Sequence, residues 1–454
     1  MLDRRAFLGG SLTAGIAMPA AAAGADRSLT MSMRGSIDAS DFGVTPASLD
    51  DQSRVFAKML QKSSDTDVPV FLPAGVYVVS NITLPPRVRL SGVLGATRII
   101  YGGDGHLFLA DRAERIELSG LVIDGANRWL GDQAEGLLTL RNVVRLVIDN
   151  CEIIGAGKHG VAIERTGGRI ERSTISGAAD AGLYAVESNR LAVTGNTVTD
   201  CGNGGILVHR WQPADDGTLV TGNRVERIAA RGGGTGQNGN GINVFRAHGV
   251  IVAGNTVSDC AFSAIRSNSG SNLQITGNTC QRSGETAIYS EFAFEGAAVT
   301  GNIVDGAANG ISMVNFNEGG RMAVCSANIV RNLSAQGPYP ADAPGFGVGI
   351  SAEADCSITG NLIDGAPLYG MNLGWGAFMR NIVATGNVVR RAGTGVAVSV
   401  VAGTGSAVIS DNVFEDVAKG AVVGHEWAKP VSGDLAMQGA SGYVNLTVER
   451  NRVG

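Results

Sequence analysis

The chain has 454 residues, 66 of them glycine, with 17% charged side chains and a formal net charge of −5. Glycine at roughly twice its usual ~7% share, without a G-X-Y period, fits a fold made of tight turns and excludes collagen. The low, slightly acidic charge leaves no basic stripe for nucleic acid, so that partner class is set aside.

At the N-terminus, Arg4-Arg5-Ala6-Phe7-Leu8 precedes a weakly apolar run that ends in Ala23-Gly24-Ala25. Paired arginines, an apolar run and a small-residue cleavage site, in that order, read as a twin-arginine export signal over residues 1–25. The expected location is the periplasm or outside the cell, reached through the twin-arginine export machinery. No later stretch approaches the roughly 18 apolar residues needed to span a bilayer, so no membrane span is expected after signal removal.

Residues 26–95 read as a cap and first coil. A helix is expected over Asp50 through Lys62, with Val55, Phe56, Met59 and Leu60 on one face. Next comes Val70-Phe71-Leu72-Pro73-Ala74-Gly75-Val76-Tyr77, a strand broken by a Pro-Ala-Gly turn. With Asp41-Phe42-Gly43 before it, this stretch resembles the N-terminal cap of the pectate-lyase-like superfamily of right-handed parallel β-helices. The helix is expected to cover the open edge of the first coil, which would otherwise recruit other strands.

Residues 96–454 are read as coils. Asn196, Asn223, Asn255, Asn278, Asn302, Asn328, Asn361, Asn387, Asn412 and Asn451 recur in versions of V-T-G-N-x-V, at gaps of 23 to 39 residues. The shortest gaps define one coil of a solenoid, and the longer ones add an inserted loop. Stacked in register, these asparagines are expected to bond one another along the axis, a structural role. Each coil also carries a Gly-Ile-like strand, such as Gly205-Ile206-Leu207-Val208-His209, in which alternate residues face in and out. Leucine-rich repeats would need repeated leucines and a helical return, and propeller blades a period near 40; neither is present. The fold class is therefore all-β: a right-handed single-stranded parallel β-helix, or solenoid, with a short N-terminal capping helix.

Six cysteines in an exported chain invite a disulfide reading. Cys201 and Cys260 share a register two coils apart, about 10 Å at ~4.8 Å per coil, which is beyond disulfide reach. Buried free thiols are expected.

Three familiar signatures lead nowhere. Gly234-Thr235-Gly236-Gln237-Asn238-Gly239 spells G-x-G-x-x-G but lacks the strand-then-helix context of a dinucleotide site. Lys158-His159-Gly160 is similar to the G-H-G of polygalacturonases, yet their N-T-D and adjacent D-D phrases are missing, as is the D-P-H-D of β-helical mannuronan epimerases. No His, Cys, Asp or Glu cluster has metal-ligand spacing, so neither cofactor nor metal is expected.

Aligning the Gly-Ile strands by register gives a more useful signal. One outward column holds Tyr184, Asn243, Arg266 and Tyr289; the next holds His209, Phe245, Asn268, Glu291 and Glu353. Arg210, Trp211, Arg246, Phe292 and Trp375 lie just beyond. Insertions at Arg231–Asn240, Ser334–Gly347 and Trp211–Thr218 enter beside this strip, and long loops on one face of a solenoid often wall a binding surface. Rings that stack on sugar faces, together with arginine forks for uronate or sulfate, point to a polysaccharide, and to an acidic one.

If the groove is catalytic, elimination or C5 epimerisation of a uronate needs a cation and a base. Arg266 or Arg210 would supply the first, and His209 or Tyr289 the second. Inverting hydrolysis would instead use Glu291 and Glu353, two coils apart in one column, with Asp180 and Glu285 a weaker pair. A non-catalytic glycan-binding or structural surface protein is the alternative. The export signal with the G-N repeats resembles a family of twin-arginine-translocated repeat proteins. That resemblance implies fold and compartment and carries over no catalytic residue.

Overall fold

The computed structural model describes residues 35–454 except residue 47, so the export segment lies outside the described residues. The architecture is a parallel β-helix. One wall is a 16-stranded sheet; the other two walls form a 27-stranded sheet. Long strands such as Thr279–Glu291 bend around the corner between those two walls, with a register shift between Ser283 and Thr286. The named strand pairs run parallel except Val422–Glu426 with Lys429–Asp434, an antiparallel hairpin near the C-terminus.

Alternation places the core. In Gly204–Asp215, Ile206 and Val208 are fully buried, and they stack on Leu183, Ala185, Ile242 and Val244 of the neighbouring coils. Inward positions are mostly apolar and stack into a column that no single coil could bury alone, although the Val208–Val244 position continues through buried Ser267 and Ser290. All six cysteines are buried free thiols within it.

The asparagine ladder is complete from Asn196 to Asn451. At each step, backbone N and side-chain Nδ2 both donate to the next asparagine's Oδ1, as from Asn255 to Asn278 at 2.9 Å each. The same Nδ2 also reaches a carbonyl in the preceding coil, Val220 in the case of Asn255. The residue before each rung must turn sharply: Gly277 sits at φ 64°, where a side chain is disfavoured.

The capping helix spans Ser53–Thr66, beginning three residues later than the sequence suggests. Asp50 and Asp51 belong to a short strand, Ser48–Asp51, and Asp51 Oδ1 accepts the Ser53 N–H at 2.8 Å. Phe56, Met59 and Leu60 are fully buried, and the Phe56 ring stacks 6.3 Å from Phe108 in the first coils. Among the described residues no helix is long and apolar enough to cross a membrane.

Candidate functional site

Four successive strands build the site: Gly204–Asp215, Asn240–His248, Ile265–Asn268 and Thr279–Glu291. Their register sets His209, Phe245, Asn268 and Glu291 in one column, and Leu207, Asn243, Arg266 and Tyr289 in the next. Side chains of both columns point away from the apolar core. Outward side chains on a strand are ordinarily wet, yet Glu291 is only 2% exposed, Asn243 7% and Glu353 9%. The insertions fold back over the strip and remove it from water.

Two insertions do this by specific contacts. Gly236, at φ 133° where a side chain is strained, passes so close that an added Cβ would lie 1.8 Å from Arg266 Nη1 and would displace that guanidinium. From the other side Tyr339 reaches in, donating its hydroxyl to Glu285 Oε1 at 2.6 Å and packing near Phe262 and Phe346. Beside the Gly236 loop a cavity of about 410 Å³ remains. Its walls are His209, Asn243, Phe245, Arg266, Asn268, Glu291 and Phe292 from the strip, with Thr235, Gly236 and Gln237 from the loop.

Arg266 is the electrostatic centre. Its Nε and Nη2 bond Glu291 Oε1 and Oε2 at 2.7 and 2.9 Å, and Nη1 bonds Glu285 Oε2 at 3.1 Å. Burial opposes its charge, but the two glutamates outweigh that and raise its pKa. Burial pushes Glu285 up as well, against the pull of Arg266 and Tyr339. Asn268 Nδ2 adds a 3.2 Å bond to Glu291. Tyr289 lies below the guanidinium, ring centroid 5.0 Å from it, and burial raises its pKa, which keeps the phenol protonated at neutral pH.

His209 stands in a row of rings, 5.4 Å from Tyr184 and 5.5 Å from Phe245, with His159 completing the row 4.9 Å beyond Tyr184. Burial, aided by His159, lowers its pKa to about 4, so the imidazole is neutral near pH 7. Its Nε2 is buried without a protein partner, and so is Asn243 Oδ1. Both residues line the cavity, while these two atoms are themselves enclosed by protein.

The remaining candidates spread along the strip. Arg210 is committed to Glu187 at 3.0 Å and to the Asp215 carbonyl at 2.6 Å. Trp211 is 47% exposed, with Arg165 stacked 4.6 Å from its ring. Arg246 lies 4.6 Å over Phe245 and donates to the Trp211 carbonyl at 2.6 Å, with no carboxylate within ion-pair distance among the described residues. Glu353 lies downstream of the cavity and accepts the Phe316 N–H at 2.6 Å; burial lifts its pKa to about 7. Trp375 also lies downstream. Asp180 and Glu285 are held apart by different partners, Asp180 by His159 and Asn203. Tyr339 escaped sequence reasoning; the only signal was an aromatic residue in a loop already expected to wall the strip.

A wider groove of about 740 Å³ crosses the 16-stranded sheet, but its one carboxylate, Asp355, is paired with Arg380 and no catalytic constellation faces it.

Comparison with known proteins bears on the fold. A family model described as a right handed beta helix region matches residues 115–236 and 215–319. No curated protein sequence matches the chain. Among solved structures, the N-terminal fragment of bacteriophage phi29 gene product 12 aligns with a TM-score of 0.56 at 15% identity, covering 88% of this chain and 70% of that one. The pre-mature form of that protein aligns with a TM-score of 0.51 at 16% identity, over 88% of this chain and 56% of that one. The chain thus spans little more than half the length of that phage protein. The A-module of an Azotobacter vinelandii mannuronan C-5 epimerase aligns at 0.48 with 16% identity, covering 91% of this chain and 99% of that one. At such identities the likeness concerns the fold, and the chain is a right-handed parallel β-helix.

Proposed function

We propose that this chain is exported by the twin-arginine pathway and binds a glycan polymer along the strip that runs past Trp211 and the roofed cavity. The observation that carries this reading is the cavity itself. It combines a ring (Phe245), an exposed ring at its edge (Phe292), the polar side chains of His209 and Asn243, and a fixed ion pair. Such a mix of apolar platforms and placed polar groups suits sugar rings.

Charge narrows the polymer. Arg266 and Arg210, the cations expected to neutralise a uronate, are already held by glutamates. Arg246 is the strip cation without a carboxylate, so an acidic substituent would be met there, at the cavity's edge.

A second reading, in which the chain modifies its polymer by elimination or C5 epimerisation, rests on His209. A neutral imidazole beside the cavity, its Nε2 enclosed and without a protein partner, could take a proton from C5 once a ligand displaces the groups that cover it. Hydrolysis finds less support, because Glu291 is clamped by Arg266 and Glu353 is occupied with the Phe316 N–H.

The test is affinity electrophoresis of the mature protein in gels carrying alginate, polygalacturonate, xylan or galactomannan, with ultraviolet absorbance followed in parallel. Retardation by one polymer, weakened by Phe245→Ala, supports binding. A rise in absorbance from unsaturated sugar ends supports elimination. Free migration in every gel overturns the glycan reading.

A further inference from the structure

Trp211 and Trp427 each follow, by two residues, a buried or half-buried histidine of one column, His209 and His425. The column from His209 passes through Phe245, Asn268 and Glu291; one residue earlier the pairing continues from Ser290 through Met313, Ala352, Leu373 and Val398, and Ser399 then pairs with His425. Those eight steps, at ~4.8 Å each, separate the two tryptophans by roughly 38 Å along the axis.

Trp427 is not where a solenoid would put it. It sits at the tip of the antiparallel hairpin, where Glu426 pairs with Lys429 and leaves a two-residue loop of Trp427 and Ala428. Trp427 has φ 55°, a conformation for which glycine or asparagine is the ordinary choice in such a tip. Despite that cost the residue stays 49% exposed. It meets Trp375 edge to face, centroids 5.6 Å apart at 80°. Gly376 makes room for it, since a Cβ there would lie 2.2 Å from the Trp427 ring. The turn carrying Trp375 is pinned by paired backbone bonds with Phe378 at 3.2 and 3.0 Å. A hairpin that merely closed the end of the coil stack would need an apolar side chain turned inward. Here a large, half-exposed ring is held at a strained tip against a second tryptophan.

We infer that Trp375 and Trp427 form a distal sugar-ring subsite, and that one glycan chain runs from the cavity beside Trp211 along the strip to reach it. The ligand is thus a long polymer, engaged at two platforms too far apart for a disaccharide to bridge. The inference rests on the glycan reading above and adds ligand length to it. Two linked platforms raise affinity for chains that reach both and leave it unchanged for chains that reach one.

The experiment uses the mature full-length protein and a size series, dimer to dodecamer, of whichever of alginate, polygalacturonate, xylan or galactomannan retards it. Wild type should show about a tenfold gain in affinity between oligomers that occupy one platform and those that span both. Trp427→Ala should lose that gain while binding short oligomers as before, and Trp427→Tyr should keep it; unchanged melting temperatures would confirm folding. In wild type, N-bromosuccinimide should oxidise Trp427 in the presence of short oligomers and spare it with long ones, a readout that needs no variant. A length-dependent gain that survives in Trp427→Ala, or equal oxidation with long and short oligomers, overturns the distal subsite while leaving glycan binding standing. Absence of binding to all four polymers overturns both.

Discussion

Arg266 holds Glu291 with two arms and Glu285 with the third. The Nε and Nη2 bonds to Glu291 are 2.7 and 2.9 Å, and the Nη1 bond to Glu285 is 3.1 Å. All three side chains are nearly buried, at 12%, 3% and 4% exposure. One guanidinium therefore balances two carboxylates under a roof of loops, so the site's shape depends on a charge that cannot be removed alone. Arg266→Ala should destabilise the protein by about 3–5 kcal/mol, because it strands two buried carboxylates. Arg266→Lys should recover only part, lacking the planar fork. The double variant Arg266→Ala/Glu291→Ala should lose less than the sum of the singles. Urea midpoints measure all three, and an Arg266→Ala loss below about 1 kcal/mol would contradict this account of the pair.

Tyr339 fastens one loop of the roof through its 2.6 Å bond to Glu285, while its ring packs 6.2 Å from Phe262 and 5.5 Å from Phe346. Tyr339→Phe keeps the packing and deletes the bond. A hydrogen bond to a carboxylate is worth about 1.5–3 kcal/mol, and the loss should stay local to the loop. Deuterium uptake over 334–347 should rise in the variant, with the asparagine ladder as protected as in wild type. Equal uptake in that loop would show that ring packing alone secures it.

The asparagine ladder allows a sharper test. Asn278 donates from Nδ2 to the Val252 carbonyl at 2.9 Å and to Asn302 Oδ1 at 3.0 Å, and its own Oδ1 accepts both Asn255 donors. Asn278→Ala leaves buried groups unpaired in two neighbouring coils, at about 1–3 kcal/mol for each such group. Asn278→Asp should be no better. It keeps an acceptor for Asn255 but turns a second oxygen toward Asn302 Oδ1, where a donor is required. Thermal unfolding of both variants should fall well below wild type; a near-native midpoint for the aspartate would mean that the ladder's donors matter little.

Much of this arrangement was legible because a solenoid converts sequence period into position. The G-N phrase fixed the coil, and alternation from each glycine placed His209, Phe245, Asn268 and Glu291 in a column that the strand pairing reproduces. What could not be read was whatever departs from the period. Tyr339 meets Glu285 across 54 residues, through an insertion with no repeat to set its path. The loop at residues 235–237 shares the cavity with Glu291, so a strip read as walled by insertions is partly roofed as well. Trp427 was invisible for the related reason that its hairpin leaves the coil, so the column as read from sequence stopped at Trp375. The choice Arg266 makes between a ligand and its glutamates is a matter of angstroms, which residue spacing does not contain.

Two buried groups on the strip titrate in opposite senses. Burial lowers His209 from an ordinary 6.5 to about 4. The unfolded chain then binds the proton that the folded chain refuses, so this stability is present above pH 6.5 and is lost as pH falls toward 4. Glu353 is raised from an ordinary 4.5 to about 7 because burial outweighs the N–H groups of Phe316 and Asn315. Here the folded chain holds the proton more tightly, so its contribution is complete below pH 4.5 and is lost as pH rises through 7. Glu353→Gln keeps an acceptor for the Phe316 N–H and removes the titration. Its melting temperature relative to wild type should therefore climb steadily from pH 4.5 to 7.5. His209→Phe, which keeps a ring between Tyr184 and Phe245, should flatten the acid side between pH 6.5 and 4. A difference between Glu353→Gln and wild type that is constant with pH would mean that Glu353 titrates no differently in the folded chain than in the unfolded one, and that its carboxylate is solvated beside Phe316.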